Sequence, residues 1–209
     1  SFALQQNGFP VVRDVIIKND GDFSLENVRL DVSALPQFFK PFSCSLPDIH
    51  ERASYTIDTL DLTIEHGQLA RLVESEKGML TIRLAHGEKI LAESLHPVEV
   101  LARNQWGGLT DYPESIAAFV QPNDPAVDSL LGQASQLLRA GAPNQAFTGY
   151  DGTKASVWRQ LAALWNTLYA QGIGYVLPPA GFEDRGQKVR SPSQVIEAKL
   201  GTCLDTSLL

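Results

Sequence analysis

The first half of the chain alternates between apolar and polar positions in short segments that turn-forming residues separate. The segments 11–17, 78–84 and 89–94 are rich in β-branched residues or alternate with a period of two, and Gly, Pro, Asn and Asp lie between them. Short alternating runs with a turn about every ten residues are typical of antiparallel strands. Residues 1–104 are therefore predicted to form an antiparallel β-sandwich.

From residue 105 onwards the apolar period becomes that of a helix. Asp124 and Pro125 form a typical helix start, apolar residues recur every three or four positions, and Gly141 is expected to end the helix. A second long helix is predicted over about 153–171. Its apolar stripe and the aromatic residues beside it are expected to lie in the core: Val157, Leu161, Leu164, Leu168, Trp158, Trp165 and Tyr169. The chain is thus predicted to be α+β, with a mainly helical domain over 105–209.

Two helices are predicted to meet near the last residues. One helix over 193–200 ends at Gly201, and Thr202 with Asp205 forms the capping-box pattern of the next. Cys203 then lies in the first turn, where the positive end of the helix dipole favours the thiolate, the nucleophilic form of cysteine. The alternative is that Cys203 is an ordinary small residue of a helix core.

The composition limits the classes of partner. The chain has 209 residues, 44% of them hydrophobic, and a net charge of -7, so it can bury a core but has no excess of basic residues for nucleic acid. No apolar run is long enough to span a bilayer, and no signal peptide is visible. The two cysteines, Cys44 and Cys203, show no disulfide or zinc pattern and fit a reducing compartment. We therefore predict a cytoplasmic protein that binds neither nucleic acid nor a membrane directly.

The positions of the histidines and two basic residues in one loop limit the candidate chemistry. All four histidines lie within residues 1–104, and none has a second ligand type at metal spacing, so neither a metal nor a cofactor is predicted. No phosphate-binding glycine loop followed by Lys and Ser or Thr is present either. Lys188 and Arg190, in a loop rich in turn residues, either face solvent or hold an anion.

Several motifs of the second half resemble a known family: residues 101–108, 119–127, 186–192 and the terminal Gly-Thr-Cys-Leu-Asp of 201–205. Together they resemble the N-terminal region of large bacterial superfamily-I helicase-like proteins. In that family an immunoglobulin-like β-sandwich and a transglutaminase-like, papain-like cysteine domain precede an ATPase core. The resemblance covers most of residues 95–209, whereas residues 1–94 match in domain type and order.

The resemblance implies roles for the residues of the candidate site. Cys203 would be the nucleophile of a Cys-His-Asp arrangement, and Gln187 or Gln194 would donate a hydrogen bond to the oxyanion. No histidine follows His96, so the partner histidine and acid are expected downstream in a longer polypeptide. The helicase-like ATPase core of that polypeptide is the expected partner, and a separate protein partner is a further option.

Two hypotheses follow. The first is an N-terminal fragment of a multidomain bacterial helicase-like protein, which has the nucleophile half of a cysteine hydrolase or acyltransferase site and is inactive by itself. The start at Ser1 and the single methionine, Met79, agree with a fragment. The second is a non-catalytic protein-interaction module that positions partners for the ATPase core. A histidine and then an aspartate on strands downstream of Cys203 would favour the first hypothesis.

Overall fold

The computed structural model describes residues 2–110, 112–141 and 145–209, which form an α+β structure with antiparallel sheets. The chain divides into two compact units, Ser1–Gln105 and Trp106–Leu209. None of the helices within the described ranges has both the length and the apolar character that crossing a membrane requires.

The N-terminal unit consists of antiparallel strands with two short helices between them. Its elements are, in order, α1 (Phe2–Gln6), β1 (Arg13–Lys18), β2 (Val28–Leu35), β3 (Phe42–Ser45), β4 (Ser54–Thr59), α2 (His66–Arg71), β5 (Glu76–His86) and β6 (Lys89–Val100). One sheet pairs β1 with β4, and the other has the strand order β3–β2–β5–β6. All of these pairings are antiparallel. A two-residue strand, β7 (Gln105–Trp106), contains the division between the units.

The alternation along β2 explains the core of the N-terminal unit. Val28, Leu30 and Val32 project to one side because side chains alternate along a strand, and each is at most 1% exposed. They join residues of both sheets, among them Ile17 of β1 and Leu80 of β5, in one hydrophobic cluster. The antiparallel strands that the alternation predicts are confirmed, and the two sheets share a core.

Two strands form at or beside prolines. Residues 89–94 are predicted as a short strand, but β6 is longer and runs without interruption through Pro97 to Val100. Proline is compatible with this position because β6 is the outer strand of its sheet, where the ladder does not need every backbone N–H. Strand β3 forms within the stretch 36–47, directly after Pro41.

The C-terminal unit is mainly helical. Its elements are, in order, a 3-10 helix (Pro113–Phe119), α3 (Pro125–Gly141), α4 (Lys154–Ala170), β8 (Gly174–Tyr175), α5 (Phe182–Arg185), β9 (Gln187–Lys188), α6 (Pro192–Ala198), β10 (Leu200–Gly201) and α7 (Cys203–Leu208). The short strands β8 and β10 pair in parallel. Asp124 caps α3 as predicted, because its carboxylate accepts the backbone N–H of Ala126 at 2.9 Å.

Helix α4 buries a different face from the predicted one. Its buried residues are Gln160, Ala163 and Thr167, whereas Leu161 is 52% exposed. Ala163 packs with Ala134 of α3 in a small hydrophobic cluster. Small side chains on both helices allow a close approach along this narrow face. Of the predicted stripe, Leu164 packs against the edge of the same cluster, whereas Leu161 faces solvent.

The aromatic residues of α4 are exposed as well, and the prediction that they lie in the core is wrong. Trp158, Trp165 and Tyr169 are 72%, 70% and 80% exposed. Together with Leu161 they recur every three or four residues, which places all four side chains on one side of the helix. We call these four residues the aromatic face of α4.

Candidate functional site

The candidate site lies at a sharp corner between α6 and α7. Lys199 ends α6 in the left-handed region, with a φ of 52°, and the buried Gly201 follows in β10. A Cβ atom at Gly201 would lie 3.2 Å from Cγ2 of Thr206 in α7, so the corner is tight. Thr202 then caps α7, and Cys203 is the first residue of this helix and is exposed.

A reciprocal capping box fixes the first turn of α7. Thr202 Oγ1 accepts the backbone N–H of Asp205 at 3.2 Å, and Asp205 Oδ2 accepts the backbone N–H of Thr202 at 3.0 Å. The capping box that the sequence predicts here is therefore confirmed. It satisfies two backbone donors that would otherwise lack partners, and so it holds Cys203 in place.

Asp205 also anchors the preceding loop. Its Oδ1 accepts the backbone N–H of Arg190 at 2.8 Å, and its Oδ2 accepts a guanidinium N–H from Nη1 of Arg190, also at 2.8 Å. The Asp205 side chain is fully buried, while that of Arg190 is 38% exposed. One carboxylate thus connects the cap of α7 to the loop after β9. Of the two roles considered for Arg190 from the sequence, the structure agrees with the one that holds an anion, and the anion is a carboxylate of the chain itself.

Gln187 lies beside the cap of α7. It is 3% exposed, and its Nε2 donates to Thr202 Oγ1 at 3.4 Å, which is longer than a usual hydrogen bond. Its Oε1 is buried and has no hydrogen-bond partner among the residues that the structure describes. The structure therefore brings Gln187 to the residue that precedes Cys203 and engages its amide N–H only weakly.

Two glycines allow the close backbone packing that positions Gln187. Gly186 has a φ of 72°, and a Cβ atom there would lie 1.7 Å from the carbonyl oxygen of Trp106. Gly108 has a φ of 95°, and a Cβ atom there would lie 2.7 Å from the carbonyl oxygen of Glu183. Only glycine fits either position, since both the backbone angle and the available space exclude a side chain.

Gln194, the other candidate donor to an oxyanion, caps α6 instead. Its Oε1 accepts the backbone N–H of Ser191 at 2.9 Å, and Ser191 Oγ accepts the backbone N–H of Gln194 at 3.3 Å. This reciprocal pair is a second capping box, with the Ser-x-x-Gln pattern of residues 191–194. Of the two glutamines, Gln187 is the one that lies beside Thr202.

A second carboxylate connects α6 to the start of α3. Asp124 accepts hydrogen bonds from the Ser193 hydroxyl, from the Ser193 backbone N–H at 3.3 Å and from the Ala126 backbone N–H at 2.9 Å. Burial acts to raise the pKa of Asp124, but these hydrogen bonds outweigh it and lower the pKa below the ordinary value of 3.8. No sequence pattern indicates this pairing, because the partners are 69 residues apart.

The other cysteine lies in a different environment. Cys44, on β3, is half-buried, and burial raises its pKa above the ordinary value of 9.0, with a smaller contribution from the negative charge of Asp31. A raised pKa reduces the thiolate fraction and therefore the reactivity of a thiol. Cys203, which is exposed at a helix start, is the better placed of the two for nucleophilic chemistry.

The surroundings of Cys203 provide no imidazole from its own unit, because residues 106–209 contain no histidine. Within the described ranges, no group of three or more His, Cys, Asp or Glu side chains is placed to hold a metal ion. Comparison of the chain with protein-family models, with curated proteins and with solved structures finds no match. The geometry of the site is therefore the basis for the functional inference.

Proposed function

We propose that the C-terminal unit has the nucleophile half of a transglutaminase-like cysteine hydrolase or acyltransferase site. The main support is the position of Cys203, an exposed thiol on the first residue of a helix whose cap Thr202 and Asp205 fix reciprocally. The start of a helix favours negative charge, both on a thiolate and on the oxyanion that forms beside it.

In the proposed reaction the thiolate of Cys203 attacks the carbonyl carbon of an amide. The C–N bond breaks, the amine leaves with a proton from a general acid, and a thioester remains on the cysteine. Water then cleaves the thioester in a hydrolase, and a second amine cleaves it in an acyltransferase. The general acid would be a histidine downstream of Cys203 in a longer polypeptide, as the resemblance implies. Residues 97–209 contain no histidine, so residues 1–209 by themselves would be inactive on amides.

Gln187 is the proposed donor to the oxyanion. Its present hydrogen bond to Thr202 Oγ1 is long, at 3.4 Å, so an amide N–H can turn to a developing negative charge near Cys203 at small cost. Donors of this kind contribute about 100- to 1,000-fold to the rate of acyl transfer.

We also propose a wider setting for the chain. The N-terminal unit would be an immunoglobulin-like sandwich, and the whole chain the N-terminal region of a cytoplasmic, bacterial helicase-like protein. The motifs at 101–108, 119–127 and 186–192 and the order of antiparallel sheets before a helical unit support this setting. The ATPase core of the same polypeptide would be the main partner.

Acylation by an activated ester tests the nucleophile. p-Nitrophenyl acetate transfers its acetyl group to thiolates, and added imidazole supplies the base that the C-terminal unit lacks. We expect mass spectrometry to show acetylation of Cys203 at least about tenfold faster than that of Cys44, which is half-buried. Gln187→Ala should slow acetylation of Cys203 about 100-fold.

The same experiment has an internal control. Gln194→Ala removes a cap of α6 and should leave the acetylation rate of Cys203 almost unchanged. Equal, slow acetylation of Cys203 and Cys44, with and without imidazole, would reject the proposed nucleophile.

The aromatic face of α4 supports a second candidate, a non-catalytic interaction module. Trp158, Leu161, Trp165 and Tyr169 are each more than half exposed. Tryptophan and tyrosine are enriched where proteins contact one another, and a contiguous apolar surface of this kind is typical of such contacts. In this alternative the aromatic face docks on a protein partner and positions it for a distal ATPase core.

Site-directed photo-crosslinking distinguishes the second candidate. A photoreactive amino acid in place of Trp165, in the full-length protein, should crosslink to the ATPase core. The same residue in place of Asn166, which is exposed beside the aromatic face, is the matched control. Equal crosslinking from both positions would contradict a specific docking surface.

A further inference from the structure

The N-terminal unit contains a groove that the proposed cysteine chemistry does not use. Its volume is about 650 Å³, and residues 11–18, which include β1, line one side while β5 and β6 line the other. This volume lies within the range of natural binding clefts. At a strand rise of about 3.3 Å, the six residues of β1 extend for about 20 Å along this side of the groove.

The groove exists because the two sheets differ in width. The β1–β4 sheet is narrower than the β3–β2–β5–β6 sheet with which it shares a core. Part of β5 and β6 is thus left without a covering strand. The residues of β5 and β6 that line the groove include three pairs that lie opposite one another in the ladder, Leu80–His96, Ile82–Ser94 and Leu84–Ala92.

These paired residues form one continuous floor. Side chains directly opposite in an antiparallel ladder point to the same face. Leu80 is part of the buried core and Ile82 packs partly against that core, whereas Ala92 and Ser94 of β6 are exposed. The hydrophobic core therefore extends to the surface along the groove, and the small side chains on β6 leave room for larger ones above them.

Strand β1 presents a backbone edge to the groove. Among the described strands, β1 is hydrogen-bonded to β4 alone. The backbone N–H of Asn19 donates at 2.9 Å to the carbonyl oxygen of Ala53, the residue before β4. Because the backbone direction alternates along an antiparallel strand, the N–H and C=O groups of Ile16 and Lys18 point away from β4. They are in position to pair with a further strand.

Few charged side chains face the groove. On β1, Arg13 lies 3.6 Å from the carboxylate of Asp14, and Lys18 is a further charged residue along this wall. Arg83 and Glu93 pair on the opposite face of β5 and β6, because they alternate with Ile82 and Ser94. An occupant therefore meets an apolar floor and few charged groups. Such a surface favours an uncharged, apolar peptide over the phosphate backbone of a nucleic acid.

We infer that the groove binds an extended peptide segment with alternating apolar side chains, which adds to β1 as a further strand of the small sheet. Its backbone would pair with Ile16 and Lys18, and its inward side chains would cover Ile82 and fill the space above Ala92 and Ser94. Strand addition of this type obtains affinity from backbone hydrogen bonds and specificity from pockets for alternate side chains.

Fluorescence anisotropy with a designed peptide tests the inference. The probe is a labelled peptide of nine residues that alternates Val with Thr, and a peptide of the same composition without alternation is the reference. Ser94→Trp fills the groove and should raise the Kd at least about tenfold. Leu95→Trp changes the neighbouring residue of β6, which lies on the opposite face, and should leave the Kd unchanged.

A second variant tests the backbone pairing. Ile16→Pro removes an N–H that points away from β4, on a residue that is 59% exposed, and should also raise the Kd at least about tenfold. Thermal unfolding checks that each variant is folded. If Ile16→Pro does not fold, the pair Ser94→Trp and Leu95→Trp decides, because neither touches the β1–β4 ladder.

Three results would overturn the inference. The first is a Kd that none of the groove variants changes. The second is a combination in which Ser94→Trp abolishes binding, a folded Ile16→Pro does not, and decanoate competes with the peptide. This combination would indicate a pocket for small apolar ligands. The third is a dimer in analytical ultracentrifugation that Ser94→Trp dissociates, which would show that a second copy of the chain occupies the groove.

Discussion

The two units are stabilised by different kinds of buried group. In the N-terminal unit the buried side chains are mostly apolar and belong to strands that alternate, as in Val28, Leu30 and Val32. In the described ranges, five of the six buried polar or charged side chains lie in the C-terminal unit: Gln160, Thr167, Gln187, Thr202 and Asp205.

This difference indicates different tasks. Apolar burial is non-directional and stabilises a unit as a whole, whereas a hydrogen bond fixes particular atoms at a distance and angle. The buried Asp205 and Thr202 determine where Cys203 lies, and Gln187 is held beside them. We therefore interpret the N-terminal unit as a stable support that has an open groove and the C-terminal unit as a scaffold that positions chemical groups.

The largest effect is expected from the apolar core of the N-terminal unit. Leu30→Ala should lower the free energy of unfolding of that unit by about 4 kcal/mol, because Leu30 is fully buried and its removal leaves a cavity. Hydrogen exchange of the β2 and β5 amides measures this loss. Leu95→Ala, at a residue that is 56% exposed, should cost less than about 0.5 kcal/mol. Similar losses from both variants would contradict a core centred on β2.

The next largest effect is expected from the carboxylate that joins the cap of α7 to its loop. Asp205→Ala should cost about 2–3 kcal/mol, because the backbone N–H groups of Thr202 and Arg190 lose a buried acceptor, while the half-exposed Arg190 side chain regains water. Urea unfolding followed by tryptophan fluorescence measures it, since all three tryptophans lie within residues 106–209. Asp151→Ala, on the surface, is the control. A loss below about 0.5 kcal/mol would show that the hydrogen bonds of Asp205 contribute little to the stability of the C-terminal unit.

A smaller loss is expected at the buried amide of α4. Gln160 Oε1 accepts the backbone N–H groups of Thr148 and Gly149 at 2.9 and 3.0 Å. Gln160→Leu keeps the volume but removes the acceptor, so it should cost about 2 kcal/mol in the same fluorescence experiment. Gln133→Leu, on the exposed side of α3, should change stability by less than about 0.5 kcal/mol. A stabilising Gln160→Leu would mean that apolar packing alone holds α4.

The smallest effect concerns pH and Asp124. Because hydrogen bonds keep the pKa of Asp124 below its ordinary value of 3.8 in the folded state, ionised Asp124 stabilises the C-terminal unit above that value. The contribution is lost as the pH falls through the lowered, folded pKa. Asp124→Asn should therefore make the acid side of the pH–stability curve shallower and cost up to about 1 kcal/mol at neutral pH. Identical curves for Asp124→Asn and the parent chain would contradict this role.

The sequence predicts elements more successfully than it predicts their buried faces. Alternation and capping boxes are local patterns, so the strands at 11–17, 78–84 and 89–94 and the helix start at Thr202 are predicted, whereas β3 is not. The buried face of α4 is predicted wrongly because the buried Gln160 accepts hydrogen bonds from backbone N–H groups of the preceding loop. The apolar period of the helix does not reveal such a hydrogen bond.

In the candidate site too, features that depend on neighbouring residues are predicted, and features that depend on distant residues are not. The place of Cys203 at a helix start follows from neighbouring residues and is present in the structure. The pairing of Arg190 with Asp205 spans 15 residues and depends on how the loop after β9 returns to α7. The position of Gln187 depends on the glycine-dependent packing of Gly186 against Trp106, which no pattern in the sequence marks.

The rate at which iodoacetamide alkylates Cys203, followed by mass spectrometry, tests the central claim most directly. If the fold positions Cys203 as a nucleophile, alkylation at neutral pH should be at least about tenfold faster in the folded chain than in urea, with Cys44 slower in the folded chain than in urea. Asp205→Ala should bring the Cys203 rate down toward the unfolded rate, and Leu95→Ala should not. A Cys203 rate that is equal in the folded and unfolded chains would contradict the account.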